Sequence, residues 1–430
     1  MKKQILRFFE IIPAILFSLT SCGNGGKTNS VSSAGGGEPI TLKFWHGFTG
    51  SDGDYMKTIV DAFNAENEGK ITVEVTRLDW DTLFTKFYQN KKNARFSPHI
   101  IAVPANRLGS VLAREMVIPM DDVIEELDIS SSDFVPSAFE AGIVGGTRYS
   151  FPLDIHPTAI FYNKEITGGD LTPYDSWEDF YADCVRFTSN GVYGWAIPNN
   201  YSITKDIFYS QLLQNGENIL DLSTNDAVFN SEKAVEILNR MYDLKYGESP
   251  VSPTNVSNGG DLTLFRAGKS AFYFDGPWMI KTLKESCDFA AYGDLGILPM
   301  PDSTGENGIS FAGSHQLCLA ENTVTTEEIK IASYAFMGYL SENSLEWGKA
   351  GQVPARLSVH SQPEYAEIEY LGTFTEMALK AELGKPEYRY FYEMYNYMGT
   401  GVSRALNGEG TPKDCLDAQV NNFNRWLKEQ

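Results

Sequence analysis

The stretch LKFWHGFTG, Leu42 to Gly50, decides how the rest of the chain folds. Leu42 and Phe44 alternate with Thr41 and Lys43, the period of two that marks a strand. The strand stops at Trp45-His46 and runs into a loop between Gly47 and Gly50. An indole and an imidazole at a strand end have two meanings. One is core and a turn; the other is the edge of a ligand site. Downstream, Met56, Ile59, Val60 and Phe63 recur at i, i+3, i+4 and i+7, one face of a helix. Ser51 with Asp54 three residues on forms a variant capping box at its start. Ile71, Val73 and Val75 alternate as a second strand, and Trp80 to Asn90 predicts a second helix. His99 to Val103 is a short apolar run after Pro98, as a buried parallel strand should be. This order implies right-handed crossovers and a doubly wound sheet. Ligands bind beyond the carboxyl ends of such strands, so Trp45-His46 and Pro104-Ala105-Asn106-Arg107 should open on one edge.

At 430 residues the chain is too long for one ordinary core and predicts two lobes. Its hydrophobic content of 42% can fill both. A formal net charge of -21 repels nucleic acid and anionic lipid and argues against either as a partner.

Lys2, Lys3 and Arg7 make a basic start, and Ile11 to Leu19 is an apolar run too short to span a bilayer but suited to a signal peptide. Glu10 beside it is unusual. The run ends in Leu19-Thr20-Ser21-Cys22, which resembles the lipobox of bacterial lipoproteins, whose cysteine is lipidated and becomes the mature N-terminus. The plainer alternative is an ordinary signal peptide with a chance cysteine. Residues 23–37 are rich in Gly, Ser, Asn and Thr and predict a flexible tether. Cys184, Cys287, Cys318 and Cys415 remain, in a number that permits disulfides but at spacings that favour buried thiols equally. Neither His-x-x-x-His nor Cys-x-x-Cys occurs, so no metal and no cofactor is expected.

The second half is more helical. Val235, Leu238, Met241 and Tyr242 share one helical face, as do Ile329, Ala332, Phe336, Met337 and Leu340. A last helix has Thr411 at the N-cap, Pro412 at its first position and Leu416, Val420, Phe423 and Leu427 on its apolar face. The segments IVDAFNAEN (Ile59–Asn67), FPLDIHPTAIFYNKEI (Phe151–Ile166), SWEDF (Ser176–Phe180), FRAGKSAFYFDGPWMI (Phe265–Ile280), GILPMP (Gly296–Pro301), FAGSHQLCLA (Phe311–Ala320), WGKAGQVPAR (Trp347–Arg356) and LNGEGTPKDCLD (Leu406–Asp417) follow one another from Ile40 to the C-terminus. In that order and spacing the chain resembles the family 1 extracellular solute-binding proteins of bacterial ABC importers, which include maltose- and glycerol-3-phosphate-binding proteins.

The resemblance implies an α/β fold: two lobes of the periplasmic-binding-protein type, three hinge crossings and a ligand cleft between the lobes. The crossings are expected near Ser150–Asp154, Ala271–Asp275 and Ala312–Ser314. The expected division is a lipoprotein signal peptide over 1–21, a tether over 22–38, an N-terminal lobe over 39–152 with 276–312, and a C-terminal lobe over 153–275 with 313–430. The implied protein is a monomer, held outside the cytoplasm by its lipid, that hands a carbohydrate to the permease subunits of an ABC transporter. Anchoring in the plasma membrane and in an outer membrane both stay open.

A pyranose offers an apolar face to aromatic rings and a rim of hydroxyls to planar polar groups. Trp45, Trp80 and Trp278 are the candidate stacking rings. His46, Asn106, Asp154, His156, Asp275, Ser314 and Arg356 are the candidate rim partners, with Gly313 letting backbone approach the ligand. Asn396 is added from the matching family segment. Each has a plainer role: a strand-end Trp as core, Asp154 as a backbone cap, Arg356 in a surface ion pair. Trp177 and Trp195 read as lobe core, and the tyrosines from Tyr388 to Tyr397 as one face of core or cleft. Two alternatives accompany the sugar. One is a glycerol phosphate or phosphodiester, or a polyamine, in the same cleft. A phosphate needs cations there, and Arg107 and Arg356 are the obvious ones. The other is an exported carbohydrate-active enzyme using Asp154 and Asp275 as paired carboxylates.

Overall fold

The computed structural model describes residues 39–430, apart from 201, 222, 303–308 and 386–387. The expected signal peptide, Cys22 and the tether lie outside the described residues. The first strands form as their periodicity demands. β1 (Ile40–His46) pairs in parallel with β2 (Ile71–Arg77) and β3 (Ile100–Pro104). Helices α1 (Asp52–Glu66) and α2 (Trp80–Gln89) make the connections, and α3 (Leu108–Ala113) follows β3. The capping box expected at α1 is not formed. Ser51 makes no side-chain cap, and Asp54 pairs with Arg77 at 3.2 Å. Because successive strand residues face opposite sides, Leu42 and Phe44 pack with Met56, Ile59 and Phe63, while Trp45 packs with Leu83, Phe84 and Phe87.

β4 (Phe151–Pro152) is the last strand laid on this sheet before β5 (Asp154–Pro157) leads away from it. β6 (Ala159–Asn163), β7 (Tyr193–Trp195), β8 (Ser270–Asp275) and β9 (Leu295–Leu298) make a second, four-stranded sheet in the order β9-β6-β8-β7. Helices α4 (Trp177–Phe187), α5 (Thr204–Gln214) and α6 (Glu232–Tyr246) bury their apolar faces against it. The chain returns through β10 (Ala312–Gly313) to β11 (His315–Leu319), which lies antiparallel to β3 and completes a five-stranded first sheet, β2-β1-β3-β11-β4. α7 (Glu327–Glu342) packs on β1 and α1. α8 (Ser344–Lys349), β12 (Val353–Pro354) and α9 (Leu371–Ala378) occupy the junction. α10 (Phe391–Leu406) and α11 (Pro412–Leu427) finish the second lobe, and Thr411 caps α11 by accepting from the Asp414 N–H at 3.1 Å.

Two of the expected crossings fall at or beside their expected places, Ala312–Gly313 and the strand that starts at Asp154, and the third does not. β10, β5 and β12 lie side by side in a three-stranded sheet between the two larger ones, so the three connectors are 312–313, 154–157 and 353–354. Ala271–Asp275 is no crossing. It belongs to β8, flanked by β6 and β7 in the middle of the second sheet. The lobe division shifts accordingly. β11 and α7, expected in the C-terminal lobe with 313–430, join the first sheet and its helices, and β9, expected in the N-terminal lobe, pairs with β6. A short buried run carries hydrophobicity but no mark of the sheet that will accept it. Cys184, Cys287, Cys318 and Cys415 are buried free thiols. No helix among the described residues is long and apolar enough to cross a membrane.

Candidate functional site

A cleft of about 480 Å³ opens between the two large sheets, within the range of small-molecule sites. One wall comes from the first lobe: Trp80 at the start of α2, and Pro104 and Asn106 at the end of β3. The floor is His156 on β5 and Gly313 on β10, which face each other in register. The other wall carries Lys205 and Asp206 of α5, Asp275 and Trp278 after β8, and Tyr395 of α10.

Both indoles are presented by a glycine. Asp79 caps α2 by accepting from the Thr82 N–H at 3.0 Å, which fixes the first turn and Trp80 with it. The Trp80 ring lies where a side chain on Gly47 would be, 2.1 Å from an ideal Cβ. It also lies 5.3 Å from the His315 ring and nearly parallel to it, at 8°. Trp278 repeats the device. Pro277 opens a single helical turn, and the indole folds over Gly276, whose ideal Cβ would come within 2.0 Å of it. Its ring meets His156 edge to face at 5.5 Å.

Of the residues singled out from sequence, Trp80, Asn106, His156, Asp275, Trp278 and Gly313 line the cleft. Asn106 brings to it a buried amide oxygen with no partner among the described residues. The others lie elsewhere. Trp45 is 7% exposed and packs beneath α2 and α3. His46, on the opposite face, is 1% exposed; it stacks on Phe48 at 4.7 Å and accepts from the Phe48 N–H. Burial first, then Arg77 and His315, lower its pKa to about 3, so it is neutral. The indole and imidazole of the opening stretch are therefore core, and the strand end contributes Gly47 to the site instead. Ser314 is fully buried and accepts from the Gln316 amide. Arg356 is held by Asp133 at 2.8 Å, outside the cleft. Asn396 stands one step back, accepting from Lys205 at 3.2 Å.

Asp154 is fully buried and surrounded by four donors. Oδ1 accepts from the His315 N–H at 2.8 Å and from His156 Nδ1 at 3.1 Å. Oδ2 accepts from His315 Nδ1 and Trp347 Nε1, each at 2.7 Å. Burial alone would favour the protonated acid. The adjacent His315 and the hydrogen bonds from both imidazoles outweigh it and hold the carboxyl well below the ordinary aspartate range. Asp154, His156 and His315 are all metal-ligand types within 4.8 Å of one another. Yet the two rings stack at 4.3 Å, and each Nδ1 addresses a different carboxylate oxygen, so the trio is arranged for hydrogen bonding rather than around one point.

The far wall is acidic. Asp275 accepts from the Gly276 N–H at 2.8 Å and from the Tyr273 hydroxyl, and Asp206 accepts from the Tyr395 hydroxyl. Burial pushes Asp275 up to about 7 and Asp206 up to about 6. A carboxyl raised on folding binds its proton more tightly in the folded state. The stability it adds is full below its unfolded value, about 3.9, and is lost as pH rises through the folded value. Asp275→Asn is thus expected to raise the unliganded melting temperature by about 2–4 °C near pH 8, and to change it little near pH 5. Thermal unfolding at both pH values checks this.

Residues 58–371 match the model of the bacterial extracellular solute-binding proteins. The chain belongs to this family. The galactooligosaccharide-binding protein of Bacillus subtilis (strain 168) is 22% identical, over 95% of this chain and 94% of its own. The sn-glycerol-3-phosphate-binding periplasmic protein UgpB of Escherichia coli (strain K12) is 21% identical, over 90% and 92%. Among solved structures, the GacH receptor of Streptomyces glaucescens, known unliganded and with acarbose, superposes with a TM-score of 0.77 at 20% identity, covering 91% of this chain and 99% of its own. The sugar-binding protein MalE of Xanthomonas citri gives 0.76 at 19% identity, with coverage of 91% and 100%. The fold is theirs: two α/β lobes around a cleft.

In this solute-binding protein the two lobes also touch directly at one rim. Arg107, 9% exposed, donates to the Tyr392 hydroxyl at 2.6 Å, and its guanidinium lies 4.1 Å from the Phe84 ring centre and 3.9 Å from that of Tyr392. Ser110 donates to Glu393 at 2.6 Å beside it. Sequence alone missed Lys205, Asp206 and Asp261 in the cleft and left Tyr395 open between core and cleft, where it lines the cleft. Lys205 and Asp206 sit on α5, whose buried residues occur all round its circumference, so no amphipathic stripe marks a cleft-facing side.

Proposed function

We propose that this solute-binding protein captures a carbohydrate, an oligosaccharide by preference, between its lobes and delivers it to the permease subunits of an ABC importer. The single observation that carries the reading is the pair of indoles, Trp80 and Trp278, lining a cleft floored and rimmed by hydrogen-bonding groups. Such walls suit the apolar face of a pyranose, and Asn106, His156, Asp206 and Asp275 suit its hydroxyls. The sugar-related names among its relatives and structural neighbours agree. The charge of the cleft weighs against the glycerol phosphate that UgpB is named for. Asp206, Asp261 and Asp275 line it against Lys205 alone, while Arg107 and Arg356 are committed to Tyr392 and Asp133. Even with Asp275 and Asp206 raised by burial, the ionised fraction of these carboxyls repels a phosphate near neutral pH. The reading is that of a binder: of the pair Asp154 and Asp275 that the enzyme alternative would use, Asp154 is inaccessible.

On this reading the lobes close on the ligand about the three-stranded junction, as hinged binding proteins do. A thermal-shift screen tests the ligand class, because a ligand that binds only the native state raises the melting temperature. Maltotriose or galactooligosaccharide should raise it and sn-glycerol 3-phosphate should not. The reverse pattern would overturn the assignment. A lipid on Cys22 would hold the protein at the outer face of the membrane, and Cys22→Ser should then leave it unprocessed or release it from the membrane fraction. Normal processing and membrane attachment of that variant would refute the anchor.

A further inference from the structure

Asp154 is out of reach of any ligand, yet it touches the floor of the cleft through His156. A carboxylate can only accept, and an indole N–H or a backbone N–H can only donate. Trp347 Nε1 and the His315 N–H therefore fix an acceptor role on both Asp154 oxygens. The imidazole nitrogens that share those oxygens, His156 Nδ1 and His315 Nδ1, must each carry a proton. A neutral imidazole has one N–H, so Nε2 of His156 is left with an unshared pair. Nε2 has no hydrogen-bond partner among the described residues. It lies over Gly313, where an ideal Cβ would come within 2.1 Å of it. The missing side chain lets the ring lie this close, and 13% of the His156 side chain stays exposed in the cleft that both residues line. The ring cannot easily turn away, since it is stacked on His315 at 4.3 Å and met by Trp278 at 5.5 Å.

We propose that Asp154 is a positioning residue: it holds the proton of His156 on Nδ1, so that Nε2 accepts a hydrogen bond from a ligand hydroxyl at the floor of the cleft. The ligand half of this rests on the saccharide reading; the tautomer half does not. The consequence is selectivity. At this point the site takes a hydroxyl donor and discriminates against a ligand that offers only an ether oxygen or a C–H, because the buried acceptor would go unpaired.

The test has two arms. In ligand-free protein labelled with 15N-histidine, long-range 1H–15N correlations at neutral pH report which ring nitrogen of His156 is protonated. The proton is expected on Nδ1, and Asp154→Asn should move part of the population to Nε2, because an amide cannot accept at both positions. A wild-type proton on Nε2 overturns the proposal even if the variant fails to fold. In the second arm, His156→Asn, whose amide nitrogen can replace Nδ1 as the donor to Asp154 but which has nothing at Nε2, should weaken maltotriose or galactotriose binding at least tenfold. Undiminished affinity overturns the acceptor role. If the wild-type protein binds neither sugar, the saccharide reading and the ligand half fail together, while the tautomer result still decides the positioning role.

Discussion

Asp154→Ala is expected to destabilise the protein by about 3–5 kcal/mol, the range for removing one partner of a buried charged network. Four donors converge on this carboxylate: the His315 N–H, both imidazole Nδ1 groups and the Trp347 indole. Alanine leaves all of them buried without an acceptor, and each unsatisfied group costs about 1–3 kcal/mol before relaxation. The location raises the stakes. Asp154 is on β5, His315 begins β11 and Trp347 is on α8, so one side chain ties a connector to the first sheet and to the junction helices. Chemical denaturation followed by circular dichroism checks the loss. A midpoint unchanged from wild type would mean that water replaces the carboxylate and that the network is not structural.

Trp278→Ala should separate binding from folding in the opposite sense. The indole is only partly buried, wraps over Gly276 and offers the rest of its surface to the cleft. Losing it should remove about 1–3 kcal/mol of sugar affinity, roughly ten- to hundredfold. A fully buried Trp such as Trp177 or Trp195 would instead lose about 3–5 kcal/mol of stability on truncation. Calorimetric titration beside a melting curve of the unliganded variant distinguishes the two. Early melting with normal affinity in the surviving folded fraction would assign Trp278 to the core and pass the stacking role to Trp80.

The parts of the molecule that were legible in the sequence are those set by local periodicity. The alternation from Ile40 to Trp45, the i, i+3, i+4, i+7 face of α1 and the Thr411-Pro412 start of α11 all took the conformations their spacing demands. Pairing was not legible. His315–Leu319 and Leu295–Leu298 are short buried strands that either sheet could have accepted, and only the chain's return path assigns them. The site divides the same way. Trp278 was visible because Gly-Pro fixes the turn that presents it, and the absent side chain on Gly276 lets the ring lie over that turn at the cleft wall. Trp45 and His46 misled because a strand-end position says nothing about which face of the sheet the side chain takes, and both faces here are buried. The real contribution of that stretch is Gly47, small enough for Trp80 to lie against. Arg356 misled because its partner, Asp133, is remote in sequence and met only on folding.

The most direct test of the account is a crystal structure of the protein with a saccharide that raises its melting temperature. The account predicts one pyranose ring packed against Trp278 or Trp80, with a hydroxyl within hydrogen-bond reach of His156 Nε2 and others on Asn106 or Asp275. A saccharide bound outside the interlobe cleft, or lying in it without touching either indole, would contradict it.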